Sequence, residues 1–195
     1  DPKEDIRNGV FELIEQFLIM LKNKDNETKN NYATSIYNKL IKTYTELTNN
    51  REVSNFPLAS GFLKALTAFE SQKRLLKMNF DTIMNMIMNL RNSRNTQIKC
   101  AFFNFLPFFA VCDMDKFLSK YSNDIFTQMT QLMSKSPELR NSILTSFSSL
   151  FQSFNHPSIL NFIQSVVGYI IQCFEKDIID KCCLESLCKI LVKHK

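Results

Sequence analysis

Glycine is scarce in this chain: Gly9, Gly61 and Gly168 are the only three among 195 residues. Tight hairpin turns and phosphate-cradling loops both consume glycine, so the scarcity argues against a β-meander, a Rossmann unit or a kinase-type glycine loop. Histidine is limited to His156 and His194. One is followed by Pro157 and the other sits beside the C-terminus, so no nucleophile–base–orienter set is credible. The six cysteines form no Cys-x-x-Cys, and zinc needs closely spaced ligand pairs. No metal or other cofactor is implied. Apolar runs are also short. The longest candidate for a membrane span, Phe102 to Cys112, is interrupted by Asn104 and Pro107. The opening Asp1-Pro2-Lys3-Glu4-Asp5 has neither a signal-type apolar region nor an initiator Met. We therefore expect a reduced, intracellular segment of a longer chain, with Cys100, Cys112, Cys173, Cys182, Cys183 and Cys188 acting mostly as small hydrophobes.

What is present is enough for a core: 45% hydrophobic residues, including 18 Phe, against 22% charged. The net charge of +5 is scattered, with the closest basic groupings at Lys73-Arg74 and Lys193–Lys195. A nucleic-acid binder concentrates such charge on one face, so no nucleic-acid partner is expected.

Apolar residues recur at helical spacing almost throughout, and about nine helices are predicted. Ile6, Val10, Ile14, Phe17 and Leu21 mark the first, which ends in a polar stretch from Lys22 to Lys29. Tyr32, Ile36, Leu40, Tyr44 and Leu47 mark the second. Thr48 to Pro57 reads as a loop, because Pro57 disfavours helix at Phe56. A third runs from Leu58 to Glu70, after which the chain becomes polar around Gln72 to Lys77. Phe80, Ile83, Ile87 and Leu90 mark a fourth, Ile98 to Val111 a fifth, and Ile125, Met129 and Leu132 a sixth. Pro137 and Pro157 fit the first turns of a seventh and an eighth, where a missing N–H costs nothing. The ninth is read from Asp177 to Val192. The β-branched run from Val166 to Ile171 continues a helical stripe on both sides and is read as helix.

A repeat organises these helices. Leu58, Ile98, Leu139 and Ile179 are spaced by 40, 41 and 40 residues, and Ile6 joins them after a gap of 52. Three residues beyond each anchor lies a small residue: Gly9, Gly61, Ala101, Ser142, Cys182. Five beyond lie Phe11, Leu63, Phe103, Leu144 and Leu184. Eight beyond lie Ile14, Leu66, Leu106, Phe147 and Leu187. Eleven beyond lie Phe17, Phe69, Phe109, Leu150 and Ile190. The small position would let a partner helix approach. Each of the last three anchored helices follows another helix, and a two-helix unit of about 40 residues is the HEAT or armadillo period. The fold class expected is all-α, a superhelix of antiparallel helix pairs. Its parts would be a repeat helix over 4–22, an irregular repeat with a longer loop over 23–72, and regular repeats over 73–112, 113–155 and 156–195. Such repeats bury their core only against neighbours, and neither end of the chain carries a polar capping face.

Other groupings have bland explanations. His156 is expected in an interhelical turn, Asp113 and Asp115 as solvated residues ahead of a helix, and Glu175-Lys176-Asp177 as a turn. Met78, Met84, Met86 and Met88 suggest a soft binding surface, but Met84 and Met88 flank an apolar stripe and fit core packing. Phe102, Phe103, Phe105, Phe108 and Phe109 cover most of one helix, as in an inner helix or a partner-binding face.

The stretch from Phe80 carries a resemblance. It reads Phe80-Asp81, an apolar helix, Arg91-Asn92-Ser93-Arg94-Asn95, Ile98, then Asn104-Phe105-Leu106-Pro107. This is similar to a passage in the N-terminal HEAT region of the target-of-rapamycin kinases. There a Phe-Asp helix ends in Arg-Asn-Ser-Lys-Asn, and the next helix carries Asn-Leu-Leu-Pro. Arg94 replaces the family's Lys, and Phe105, Phe108 and Phe109 replace smaller or basic residues. Asp5-Ile6-Arg7-Asn8-Gly9 resembles the acidic, Gly-centred helix start that precedes it in the family. The similarity covers 80–112 and 4–20 and fades over 113–195.

The resemblance implies a non-catalytic scaffold segment of a giant Ser/Thr kinase of the phosphatidylinositol-kinase-related class, acting in growth and nutrient signalling. The catalytic domain would lie outside this chain, which contains no Asp-Phe-Gly or His-Arg-Asp element. The implied partners are a Raptor-like subunit and a second copy of the kinase. The implied location is cytoplasmic, with membrane association through complex partners. The turn Arg91, Asn92, Ser93, Arg94 and Asn95 is the candidate protein-interaction site, because its polar residues match the family and do not suit a core. The same residues also suit turns and helix caps. The alternative is an unrelated HEAT scaffold, such as a karyopherin-like transport receptor or a phosphatase scaffold subunit. A net basic chain counts against an acidic cargo surface of the karyopherin kind.

Overall fold

The computed structural model describes residues 2–21, 25–48, 55–176 and 178–193, with backbone alone at 2–8 and 11. It is all-helical, with no strand among the described residues. Among the described residues, nine longer α-helices correspond one to one with those read from the sequence. They are α1 (Pro2–Met20), α2 (Asn26–Thr48), α3 (Phe56–Thr67), α4 (Phe80–Met88), α5 (Thr96–Cys112), α6 (Ser122–Lys135), α7 (Pro137–Ser153), α8 (Leu160–Glu175) and α9 (Lys181–Lys193). The chain divides into two compact units, 1–102 and 103–195, and the division falls within α5.

In the first unit, α1 packs along α3. Helix α2 starts six residues before Tyr32, inside the stretch predicted to be a polar connection. Asp25 provides the reason: its carboxylate accepts the Thr28 N–H at 2.8 Å, and this bond holds its pKa below the ordinary value. Ala33, Tyr37, Leu40 and Tyr44 form the buried stripe of α2. Tyr37 meets Phe69 edge-on at 5.9 Å, and Tyr44 stacks on Phe62 at 3.7 Å.

Helix α3 begins at Phe56, which corrects the expectation of a loop through Pro57. The Asn55 side chain accepts the Leu58 N–H at 2.8 Å, and a proline in the first turn withholds no N–H that the helix needs. The third helix also stops short of Glu70, passing into a 3-10 turn over Ala68–Gln72 that keeps Phe69 buried. The polar stretch near 72–77 contains a short helical turn, Lys73–Met78, pinned by the buried Leu76. Phe80, Ile83, Met84 and Ile87 form the buried face of α4. Met84 is therefore core, Met86 and Met88 are half-buried, and Met78 is exposed.

In the second unit, α5 continues through Pro107 with Phe103, Leu106, Phe109 and Ala110 buried. Phe105 and Phe108 are half-buried and Asn104 is exposed, so the phenylalanine-rich helix is enclosed on more than one side. Asp113 departs from the expected solvated carboxylate. It is buried and caps the next turn, accepting the Lys116 N–H at 3.3 Å, while Asp115 is exposed. Ser136-Pro137 starts α7 as predicted. The ninth helix starts at Lys181, four residues later than the reading from Asp177, because the Asp180 carboxylate caps it through the Cys183 N–H at 2.9 Å. Asp177 itself lies outside the described residues.

The helix contacts of this unit alternate. Helix α6 packs on α7 and α8 on α9, but α6 also packs on α8 and α7 on α9. Phe126 of α6 is the aromatic hub. It contacts Phe117 (5.9 Å), Phe147 (5.5 Å), Phe151 (6.2 Å) and, on α8, Phe162 (5.0 Å). The repeat positions explain where the core sits. In α3, α5 and α7 the anchor and the residues five, eight and eleven beyond it are all buried. In α1 and α9 the same register breaks down: Phe17 and Leu184 are exposed, and Ile14, Ile179 and Leu187 are half-buried.

The segment Pro157–Glu175 has the length and mean hydropathy (1.3) of a helix able to cross a membrane, whereas the sequence reading singled out Phe102–Cys112. Asn161, Gln164 and Gln172 are all exposed on that segment, and its Ile163, Val166, Ile170 and Cys173 are buried inside the unit.

Candidate functional site

The turn from Arg91 to Asn95 joins α4 to α5. Leu90 is buried and opens a 3-10 turn, Leu90–Asn92, that closes with the Ser93 N–H donating to the Leu90 carbonyl at 3.2 Å. Ser93 is only 1% exposed, which corrects the expectation that the polar residues here avoid the core. Its hydroxyl accepts the Asn95 N–H at 3.2 Å, so a small polar side chain turns the backbone inside the protein. Asn95 then starts α5: its side-chain oxygen accepts the Gln97 N–H at 2.9 Å and its carbonyl the Lys99 N–H at 3.2 Å. Ser93 and Asn95 are thus occupied with backbone geometry. Asn92 and Arg94 are exposed, whereas Arg91 is half-buried with its Nε and Nη1 covered, so the surface the turn offers is mainly the Asn92 and Arg94 side chains.

A second cluster was not singled out in the sequence. Arg140 on α7 pairs with Asp180 ahead of α9 at 2.6 Å, with both side chains mostly covered. Burial opposes the Arg140 charge, but Asp180 and the Tyr169 hydroxyl outweigh it and raise the Arg140 pKa. Burial likewise opposes the Asp180 charge, and the Cys183 N–H and Arg140 outweigh it and lower the Asp180 pKa. Beside the pair, the Cys182 thiol donates to the Asn141 carbonyl at 3.5 Å and lies 3.7 Å from the Thr145 hydroxyl. A signal existed: Arg140 and Asp180 each follow a repeat anchor, so opposite charges occupy the same register one repeat apart.

The remaining candidates are dispersed. His156 lies in the turn before α8, where its Nδ1 sits 2.7 Å from the Ser158 hydroxyl and accepts the Ser158 N–H at 3.2 Å. His194 lies outside the described residues. No group of three metal-ligating side chains occurs among the described residues. All six cysteines are free thiols. Two apolar hollows of about 320 and 460 Å³ lie between α1 and α2, lined by residues that include Val10, Ile14 and Ile36. The chain matches none of the family models, curated proteins or solved structures with which it was compared.

Proposed function

We propose that this chain is a non-catalytic HEAT-type scaffold segment that displays helix faces and turns to protein partners. The observation that carries this reading is the packing of α7 on α9 in a 40-residue register, tied by Arg140 and Asp180 at equivalent positions. Helix α6 on α8 repeats the pattern in the neighbouring layer. A helical bundle needs no fixed period, whereas stacked two-helix repeats require one.

The parent we propose is a target-of-rapamycin-like Ser/Thr kinase, cytoplasmic, with a Raptor-like subunit and a second kinase copy as partners. The support is the resemblance over 80–112 and 4–20. The Arg91–Asn95 turn, with Asn92 and Arg94 exposed, is its candidate contact. Capture of the full-length protein from its source cells, followed by mass spectrometry, tests this. A kinase domain on the same polypeptide together with a Raptor-like partner is the expected result. A short polypeptide accompanied by transport or phosphatase subunits would overturn the kinase assignment.

A further inference from the structure

The second unit contains an internal standard for judging its own surface. Helix α9 lies along the side of α7 that carries Arg140, Asn141 and Thr145. Next to those residues, Leu144, Ser148 and Phe151 follow one another at steps of four and three, and all three are fully buried. Moving one repeat along, their counterparts on α9 are Leu184, Cys188 and Leu191. Leu184 is 46% exposed, Leu191 51% exposed, and Cys188 is also exposed.

Helix α8 tells the same story. Phe162 lies to one side of its buried stripe Ile163-Val166-Ile170-Cys173 and touches Phe126 of α6. At 100° per residue, Val167, Ile171 and Phe174 fall on the opposite side of that stripe. Ile171 is 49% and Phe174 48% exposed, and Val167 is half-buried. The α6 counterparts of Val167, Ile171 and Phe174, one repeat earlier, are Phe126, Thr130 and Met133, of which Phe126 and Met133 are buried and Thr130 is half-buried. On both helices this face is therefore more exposed than the matching face one repeat earlier. Scattered apolar residues need no explanation, but a two-helix face in register with a covered one does.

We infer that this face, Val167, Ile171 and Phe174 on α8 with Leu184, Cys188 and Leu191 on α9, is the seat of one further antiparallel helix pair of the same repeat class. The occupant lies against α8 and α9 as those helices lie against α6 and α7. It presents a small side chain to α9, as Cys182 is presented to Asn141 and Thr145 of α7, and a large apolar side chain to α8, as Phe162 is to Phe126. This inference rests on the helical-repeat part of the proposed function and not on the kinase assignment.

Cys188 sits within the face and reports its coverage. Maleimide labelling of Cys188, read by peptide mass spectrometry, is compared between the purified 195-residue chain and the native protein extracted from its source cells. We expect labelling at least tenfold slower in the native protein. Leu184→Glu with Leu191→Glu restores fast labelling there, while leaving the helical circular dichroism and melting of the purified chain unchanged. A photocrosslinker on Cys188 is expected to join a segment of a helix pair. Equal labelling rates in the two samples would overturn the inference. So would a crosslink to lipid or to an extended peptide, or protection of Cys188 in the purified chain that disappears on dilution, which would mark a second copy as the occupant. Loss of the kinase assignment in the capture experiment would leave the Cys188 result standing.

Discussion

Tyr37 and Tyr44 bury their rings against Phe69 and Phe62, yet neither hydroxyl has a hydrogen-bond partner among the described residues. A buried hydroxyl without a partner costs about 1–3 kcal/mol, so its removal should not hurt. Tyr44→Phe is expected to leave stability unchanged or raise it by up to about 1 kcal/mol in denaturant unfolding. Burial pushes the Tyr37 pKa up to about 12 and that of Tyr44 higher still. Because the unfolded chain ionises these phenols first, they leave stability independent of pH below pH 10 and lower it as pH rises toward the folded values. Ultraviolet titration should show Tyr37 and Tyr44 ionising late, together with Tyr169, whose pKa burial also raises. Gly168 offers a complementary change. It lies within α8, and an added Cβ meets nothing within 4 Å. Gly168→Ala should stabilise the fold by about 0.5–1 kcal/mol through helix propensity, measured as a rise in unfolding midpoint. Gly9 is equally open. The expectation that its smallness admits a close helix is therefore not met there.

At the scale of elements, Asp180 does two things: it caps α9 and it binds Arg140. Asp180→Asn keeps a capping oxygen and removes the charge, which separates the two roles. A double-mutant cycle with Arg140→Ala should report a coupling of about 1 kcal/mol near neutral pH. The Asp180 pKa is lowered from its ordinary 3.8 in the folded state. The contribution is thus full above that value and disappears as pH falls through the lowered one. Helix existence was legible from apolar periodicity, and all nine longer helices were found. Helix ends were not, because Asp25, Asn55 and Asp180 act through side-chain hydrogen bonds that carry no periodic signal. Asp113 misled for the same reason: a capping carboxylate looks solvated in sequence and is buried in the fold. In the candidate turn, Asn92 and Arg94 were rightly read as surface. Ser93 was not, since one hydroxyl satisfied locally can enter a core.

For the whole molecule, the proposed stacking of helix pairs is supported by α7 on α9 and α6 on α8 in the second unit, each about 40 residues apart. The period was visible as a register of apolar anchors, and those positions are buried from Leu58 to Phe69, on α5 and on α7. The Arg140–Asp180 link across that register needed the structure to be seen, because charge at one offset is weak evidence alone. The most direct test uses the 3.7 Å approach of the Thr145 hydroxyl to the Cys182 thiol, 37 residues apart on α7 and α9. Thr145→Cys is mildly oxidised and the linked peptides are mapped by mass spectrometry. The account predicts an intramolecular disulfide between position 145 and Cys182, with Cys183 and Cys188 left reduced. A position 145 that stays reduced, or that pairs with Cys188 or with a second chain, would contradict it.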